Sequence, residues 1–430
     1  MKKFKIHTLG CKVNTYESQA MSYSLKEAGY VEVGAKEPAD VYIIHTCVVT
    51  NTAAFKSRQK FAQARKENPN AVIVGVGCYI QTNIDAAEEN ENIDILIGSD
   101  GKSKIVEVLD EYYKKHAKLN CVTNISDVKL IEDFEAYVFE HQCRAFLKIQ
   151  DGCNQFCSYC IIPYSRGRER SLPMERVVSM ANHLVERGHH EIVLTGIHTG
   201  RYGRDLGYTL NDLLIELCKI EGLHRIRLSS IEVIEITDEL LETMHNNPKI
   251  ANHLHIPLQA GDNETLKQMH RPYTCEDYKN RITEIRRYFP EISISSDIIV
   301  GFPSESDEQY ESSKRFIEEC ELSFLHVFPF SARIGTPAAS MKNVFHGTAK
   351  KERAKDLGEV SNKLKSNYYK KFEGKVIDVM VESTHDGKYY GYSSEYIWTE
   401  ITADCIEVGT IVPVYIKEAN DDICFGEVVR

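Results

Sequence analysis

Three of the thirteen cysteines in this chain of 430 residues crowd one short segment, Cys153-Asn-Gln-Phe-Cys157-Ser-Tyr-Cys160. The spacing is C-x3-C-x2-C, so three thiolates on one loop can converge on one metal centre. The loop holds no fourth cysteine. Structural zinc takes four closed ligands, commonly from paired C-x2-C motifs. A four-iron cluster held by three cysteines leaves one iron open to an outside ligand, and thiolates are the usual protein ligands of such clusters. The competing readings are three unrelated buried cysteines or a zinc clip. Three more cysteines, Cys11, Cys47 and Cys78, each end a short apolar run. If those runs are parallel strands, their carboxyl ends share one sheet edge, where ligands bind in open α/β folds. Gly10 and Gly77, each directly before its cysteine, would permit tight turns toward a bulky ligand. The alternative is that all three fill the core, since free cysteine is among the most buried residue types.

The elements that must position these residues fall into three series. Over the first ~140 residues, strand-like runs (Phe4–Leu9, Val41–Thr46, Ala71–Gly77, Ile93–Ile97) alternate with helical patterns (Thr15–Ala28, Thr52–Glu67, Thr82–Glu89, Ile105–Lys114), which predicts a parallel sheet in an α/β layer. Asn120–His141 is mixed and charged and reads as a connector. A second series follows, with strands at Ala145–Gln150, Glu191–Thr195, Arg225–Ser229, His253–Leu258, Ile292–Val300 and Phe324–Phe328, and helices between them such as Met174–Arg187, Thr209–Lys219 and Tyr273–Arg287. Six βα units suit a partial, open barrel with its chemistry at the carboxyl ends of the strands, and the cysteine loop follows the first of them. His346–Lys375 reads as a basic helix, with nine Lys and Arg against four acids. From Phe372 to Arg430, five short runs split by Gly, Asp and Asn predict a small β-barrel. The three units expected are 1–140, 141–371 and 372–430.

The formal net charge of −11 excludes a basic nucleic-acid coat, so any RNA contact must come from a local patch. No apolar run approaches the ~18 residues that span a bilayer. The basic start Met1–His7 is not followed by an apolar signal region, so a cytoplasmic protein is expected. An odd number of cysteines in such a chain argues for metal or catalytic use rather than a disulfide framework.

With Tyr159 before its third cysteine, the loop resembles those of the radical S-adenosylmethionine (SAM) superfamily. The resemblance implies that Cys153, Cys157 and Cys160 hold a [4Fe–4S] cluster, whose open iron is chelated by SAM and whose electron cleaves SAM to a 5′-deoxyadenosyl radical. It also assigns Tyr159, Thr195 and Gly196 (Leu194-Thr195-Gly196), Gln259 (His255-Ile-Pro-Leu-Gln259) and Gly301 (Asp297-Ile-Ile-Val-Gly301-Phe-Pro) to the SAM site. Leu9-Gly10-Cys11-Lys12-Val13-Asn14, His45-Thr46-Cys47 and Val76-Gly77-Cys78 are similar to the amino-terminal domain of the methylthiotransferases. These enzymes carry a second [4Fe–4S] cluster on three such cysteines, followed by the radical SAM core and a small β-barrel called TRAM.

Within that family, Cys11-Lys12-Val13-Asn14-Thr15-Tyr16-Glu17 and Ile197-His198-Thr199-Gly200-Arg201 resemble the branch that acts on N6-threonylcarbamoyladenosine at tRNA position 37. The other branches, acting on isopentenyl-adenosine tRNA or on a ribosomal-protein aspartate, are the alternatives. A rival of another class is a non-enzymatic iron–sulfur electron carrier with an RNA-binding tail, although electron carriers normally close their clusters with four cysteines. The resemblance implies that SAM acts as methyl donor as well as radical source, and that the partners are tRNA and an electron donor such as a flavodoxin. For RNA, the terminal barrel is a weak electrostatic candidate, with four basic against twelve acidic residues. Its tyrosines and Trp398 could stack on bases or fill its core. Arg166, Arg168 and Arg170, after the cluster loop, and the basic helix are the phosphate candidates.

Overall fold

The computed structural model describes residues 1–134, 143–342 and 347–429. Six strands, β1 (Lys3–Thr8), β2 (Val31–Glu32), β3 (Val41–Thr46), β4 (Val72–Gly77), β5 (Ile95–Ile97) and β6 (Leu119–Asn120), form a parallel sheet in the order β2-β1-β3-β4-β5-β6. Strands β3 and β4 are buried along their whole length, as parallel strands sandwiched between helices are. The helices are α1 (Lys12–Glu27), α2 (Asn51–Glu67), α3 (Cys78–Thr82), α4 (Ile84–Glu88) and α5 (Ile105–Lys115).

Three local expectations are corrected. Helix α1 starts at Lys12, not Thr15; its N-cap is Cys11, whose side chain makes no capping bond, so the usual cap signal is missing. The single helix expected over Thr82–Glu89 is two, starting at Cys78 and interrupted at Asn83 (φ −133°). The connector Asn120–His141 begins on edge strand β6 and holds a 3-10 turn at Ile125–Asp127 and the buried Phe134. Its remainder from residue 135, with the 140/141 boundary, lies outside the described residues.

The second unit contains β7 (Arg144–Lys148), a short antiparallel pair β8 (Gln150–Asp151) and β9 (Arg170–Ser171), then β10 (Glu191–Thr195), β11 (Arg225–Leu228), β12 (His253–His255), β13 (Ser293–Val300) and β14 (Phe324–Pro329). Ladders β7-β10-β11 and β12-β13-β14 are joined by the bridges Ile226–Ile250 and Ser230–His255. Six parallel strands therefore form an arc in chain order, and among the described residues no ladder closes β14 onto β7. This is the partial barrel expected. Helices α6 (Ile162–Arg166), α7 (Met174–Glu186), α8 (Leu210–Cys218), α9 (Asp238–Asn246), α10 (Asn263–Gln268), α11 (Cys275–Tyr288) and α12 (Asp307–Glu319) connect the strands. Capping boxes at Thr209, Thr274 and Ser306 start α8, α11 and α12.

Helix α13 (Gly347–Lys370) packs on β14 and leads to β15 (Val376–His385), β16 (Lys388–Ser393), β17 (Trp398–Thr402), β18 (Ile411–Ala419) and β19 (Cys424–Val428), a closed barrel ordered β15-β16-β17-β19-β18. This barrel caps the amino ends of the arc. Arg225 Nη2 donates to the Asp378 carbonyl and Arg227 Nη2 to that of Ser393, each at 2.9 Å, and Arg144 pairs with Glu382 at 2.9 Å. Tyr396 (φ 61°) stacks on His253 at 4.6 Å and on Tyr392 at 4.5 Å. Tyr392 and Tyr396 are thus committed to this interface, not to splayed bases. The basic helix is also partly neutralised: Arg353 pairs with Glu305 and Asp307, and Lys365 with Asp422. His346 lies outside the described residues. No described helix is long and apolar enough to cross a membrane.

Candidate active site

Cys11, Cys47 and Cys78 stand beyond the carboxyl ends of β1, β3 and β4, at one edge of the first sheet. Gly10 adopts φ +110°, and a Cβ there would lie 3.1 Å from both Cβ and Sγ of Cys47, so the turn carrying Cys11 closes directly over the second thiol. Cys11 and Cys47 each lie within electrostatic reach of Cys78. Asn14 ties the turns together: its Nδ2 donates to the carbonyls of Leu9 (2.7 Å) and Thr46 (3.1 Å). The strands therefore do bring the three cysteines together.

In the other trio, the Gln155 N–H donates to Cys153 Sγ (3.3 Å), His198 Nδ1 lies 3.4 Å from the same sulfur, and Arg271 Nη1 donates to Cys157 Sγ (3.2 Å). Burial pushes the Cys160 thiol up to about 12 and that of Cys47 to about 11, so neither is a free nucleophile near neutral pH. Such thiols ionise when a bound cation stabilises the thiolate. The described residues bring one trio of ligand atoms within 4.8 Å of one another, His255, Asp297 and His326, and neither cysteine trio is so tight. Tetrahedral zinc, with Zn–S near about 2.3 Å, needs that closeness. Two sets of three converging sulfurs, more widely spaced, fit a cluster of several irons.

The trios are linked by buried charge. Helix α6, directly after Cys160, packs against α3, which begins with Cys78. From α6, Arg166 reaches Glu17 Oε1 (3.0 Å), Asp151 (3.2 Å) and Asn14 Oδ1 (2.7 Å), and Lys148 meets Glu17 and Asp151 at 2.6 Å each. Burial alone would raise the Glu17 carboxyl, but Arg166, Lys102 and Lys148 outweigh it and hold the group well below the usual range. The same contest, won by Lys148 and Arg166, brings Asp151 to about 2. Arg166 (1% exposed) and Arg170 (4%) therefore do not meet RNA. Arg170 donates to the Arg166 carbonyl at 3.0 Å. Of the three candidates only Arg168 is exposed, over the Phe156 ring at 4.5 Å.

Arg166→Met should cost about 3–5 kcal/mol in denaturant unfolding, because it removes the guanidinium that both buried carboxylates share and leaves them to Lys148 and Lys102. Since Glu17 and Asp151 are depressed in the folded chain, their contribution is present above their unfolded values of about 4 and is lost as pH falls toward 2. Acid titration of the wild type against Arg166→Met checks this: the variant's stability should fall less steeply over that window.

A cavity of about 250 Å³ lies beside the loop trio, with Cys160 in its wall. Tyr159, Cys160, Gln259, Asp297, Phe328 and Arg333 line it, with Val49 and Thr50 from the segment after Cys47. Gln259 holds φ 69° at its rim. Thr195 is buried at the end of β10, and a Cβ on Gly196 would meet the Gln150 carbonyl at 3.0 Å. Gln150 Oε1 accepts from the N–H groups of Ile197 (3.0 Å) and His198 (2.7 Å), which sets the loop beside Cys153. Gly301 (φ +69°) faces the Lys350 side chain, its N–H donates to Glu305 Oε2 at 2.7 Å, and it is not among the residues lining this cavity. A larger cavity, about 850 Å³, lies at the amino ends of the strands against the terminal barrel and touches neither trio. Sequence reasoning missed His198 and Arg271 as neighbours of the sulfurs. His198 carried a signal, two residues past the glycine motif; Arg271, arriving from the turn after α10, carried none.

An open parallel barrel with a three-cysteine loop behind its first strand defines a radical SAM protein, and the family model described as "Radical SAM superfamily" matches residues 147–317. A second, "Uncharacterized protein family UPF0004", matches residues 3–98. Over 99% of its length the chain is 41% identical to a Bacillus subtilis protein named threonylcarbamoyladenosine tRNA methylthiotransferase MtaB, covering 96% of that protein. It is 34% identical over 97% of both chains to a Carboxydothermus hydrogenoformans protein named tRNA-2-methylthio-N(6)-dimethylallyladenosine synthase. In fold it resembles the radical SAM methyltransferase TsrM of Kitasatospora setae (TM-score 0.60, 13% identity, 78% of this chain and 76% of that one). The chain belongs to the radical SAM tRNA methylthiotransferase family.

Proposed function

We propose that this protein transfers a methylthio group to C2 of N6-threonylcarbamoyladenosine at tRNA position 37, using SAM both as methyl donor and as radical source. The observation that carries the reading is two cysteine trios joined by the packing of α6 on α3 and by the buried Arg166–Glu17–Asp151 pairs, beside a cavity lined by Cys160 and by Val49 and Thr50 after Cys47. When bound, [4Fe–4S] clusters would supply one-electron reduction of SAM at Cys153, Cys157 and Cys160, and a sulfur-carrying site at Cys11, Cys47 and Cys78. The chain's own residues hold the geometry. His198 and Arg271 fix the first trio, Asn14 the second, and the Glu17–Arg166–Asp151 network keeps their spacing. Tyr159 and Gln259 line the cavity where SAM would lie, with Thr195 and Gly196 at the adjoining strand end. We assign the auxiliary-cluster unit to 1–140, the radical SAM unit to 141–371 and the TRAM-like barrel to 372–430. The enzyme works in the cytoplasm with a low-potential donor such as a flavodoxin.

The test is anaerobic reconstitution with iron, sulfide, SAM and reductant, offering tRNA that carries threonylcarbamoyl-adenosine or dimethylallyl-adenosine. Methylthiolation of the first alone is expected; product on the second alone would reassign the substrate. Exposed Arg168, beside the cluster loop, takes the RNA-binding role first given to three arginines. Arg168→Ala should flatten the slope of log K against log salt by about 0.7–0.9, one phosphate contact, in a tRNA-binding salt series. An unchanged slope, with iron content intact, would place the RNA elsewhere.

A further inference from the structure

Lys12 follows Cys11 and opens α1. Its charged neighbours are Arg144, Arg227 and Asp297, on three different strands of the arc, and it lies within electrostatic reach of His253 and His326 as well. The side chain is exposed to solvent. Among the described residues it has no hydrogen-bond or ion-pair partner. Both neighbouring arginines are committed, Arg144 to Glu382 and Arg227 to Glu191, each at 2.9 Å. An exposed cation with no ion-pair partner, set near two further cations, attracts an anion.

Opposite it stands an ordered polar wall. Asp297 and His326 are register partners on β13 and β14. His255 Nε2 lies 3.2 Å from Asp297 Oδ1, and its Nδ1 lies 2.9 Å from Ser295 Oγ, so Asp297 and His255 hold each other in place. His326 makes no described hydrogen bond and is exposed. Phe328, two residues farther along β14, lines the cavity with Asp297 and Cys160. The polar wall therefore adjoins the cavity that Cys160 lines. Beside it the lining is largely apolar (Val49, Ile299, Phe328, Phe330), which suits the face of a flat ring.

A threonylcarbamoyl group carries one carboxylate, and a dimethylallyl group carries no charge. We propose that Lys12 and His326, steadied by the Asp297–His255 pair, bind the carboxylate of the threonylcarbamoyl group and so select the substrate's side chain; this rests on the function proposed above. The three ligand atoms of His255, Asp297 and His326 are also close enough for a divalent ion, but the ammonium of Lys12 and the nearby arginines oppose one.

The experiment uses the reconstituted full chain and anticodon stem-loop RNAs that differ only at position 37: threonylcarbamoyl-adenosine, its carboxamide, and unmodified adenosine. The wild type should bind the acid roughly 10- to 100-fold tighter than the carboxamide, the range for a charged hydrogen-bonded contact. Lys12→Met should bind both alike, and Lys12→Arg should keep most of the preference. Equal binding of acid and carboxamide by the wild type overturns the inference, whatever the variants' folding. So does a Lys12→Met protein that retains the preference, or a zinc or manganese ion bound one per chain and lost in His326→Gln. Failure of the underlying reading looks different: the wild type would then form no methylthiolated product on the threonylcarbamoyl RNA.

Discussion

Alanine at Cys153, Cys157 and Cys160 together is expected to leave about half the iron of the reconstituted wild type and no 5′-deoxyadenosine from SAM. The iron expectation follows from two four-iron clusters, about eight irons per chain, each tied to its own trio. The loss of SAM cleavage should be complete, because no other described thiol replaces the loop: the auxiliary trio stands at the edge of another sheet. Iron analysis and product chromatography read both effects. Retention of all the iron would mean that the loop holds no cluster. Loss of all of it would mean that the two trios assemble as one unit, contrary to their positions on separate sheets.

Alanine at Cys11, Cys47 and Cys78 should behave differently. The loop trio keeps its own neighbours, His198, Arg271 and the Gln155 N–H, so about half the iron and some uncoupled 5′-deoxyadenosine formation should survive. The methylthiolated nucleoside should fall below detection. The substitutions are small in volume and the strands behind them remain packed, so a folded protein is expected, and its melting temperature checks this. Continued methylthiolation would show that these cysteines are core residues after all.

Much of the fold was legible because buried parallel strands write near-continuous apolar runs: Val41–Thr46 and Glu191–Thr195 match their expected bounds. The cysteines were legible because their types and strand-end positions carry the chemistry. The arginines were misread for a physical reason. Three basic residues in five look like a phosphate patch, but the partner of Arg166 is Glu17, 149 residues away, and no local pattern announces it. The same holds for Tyr396, whose stacking partner His253 belongs to another unit. Edge strands β2 and β6, two residues each, are too short to show any period.

Mass spectrometry of tRNA nucleosides from a strain lacking this gene tests the central claim most directly. The account predicts that 2-methylthio-N6-threonylcarbamoyladenosine disappears, its unthiolated precursor accumulates, and methylthiolated dimethylallyladenosine is unchanged. Persistence of the first nucleoside, or loss of the dimethylallyl product instead, would contradict it.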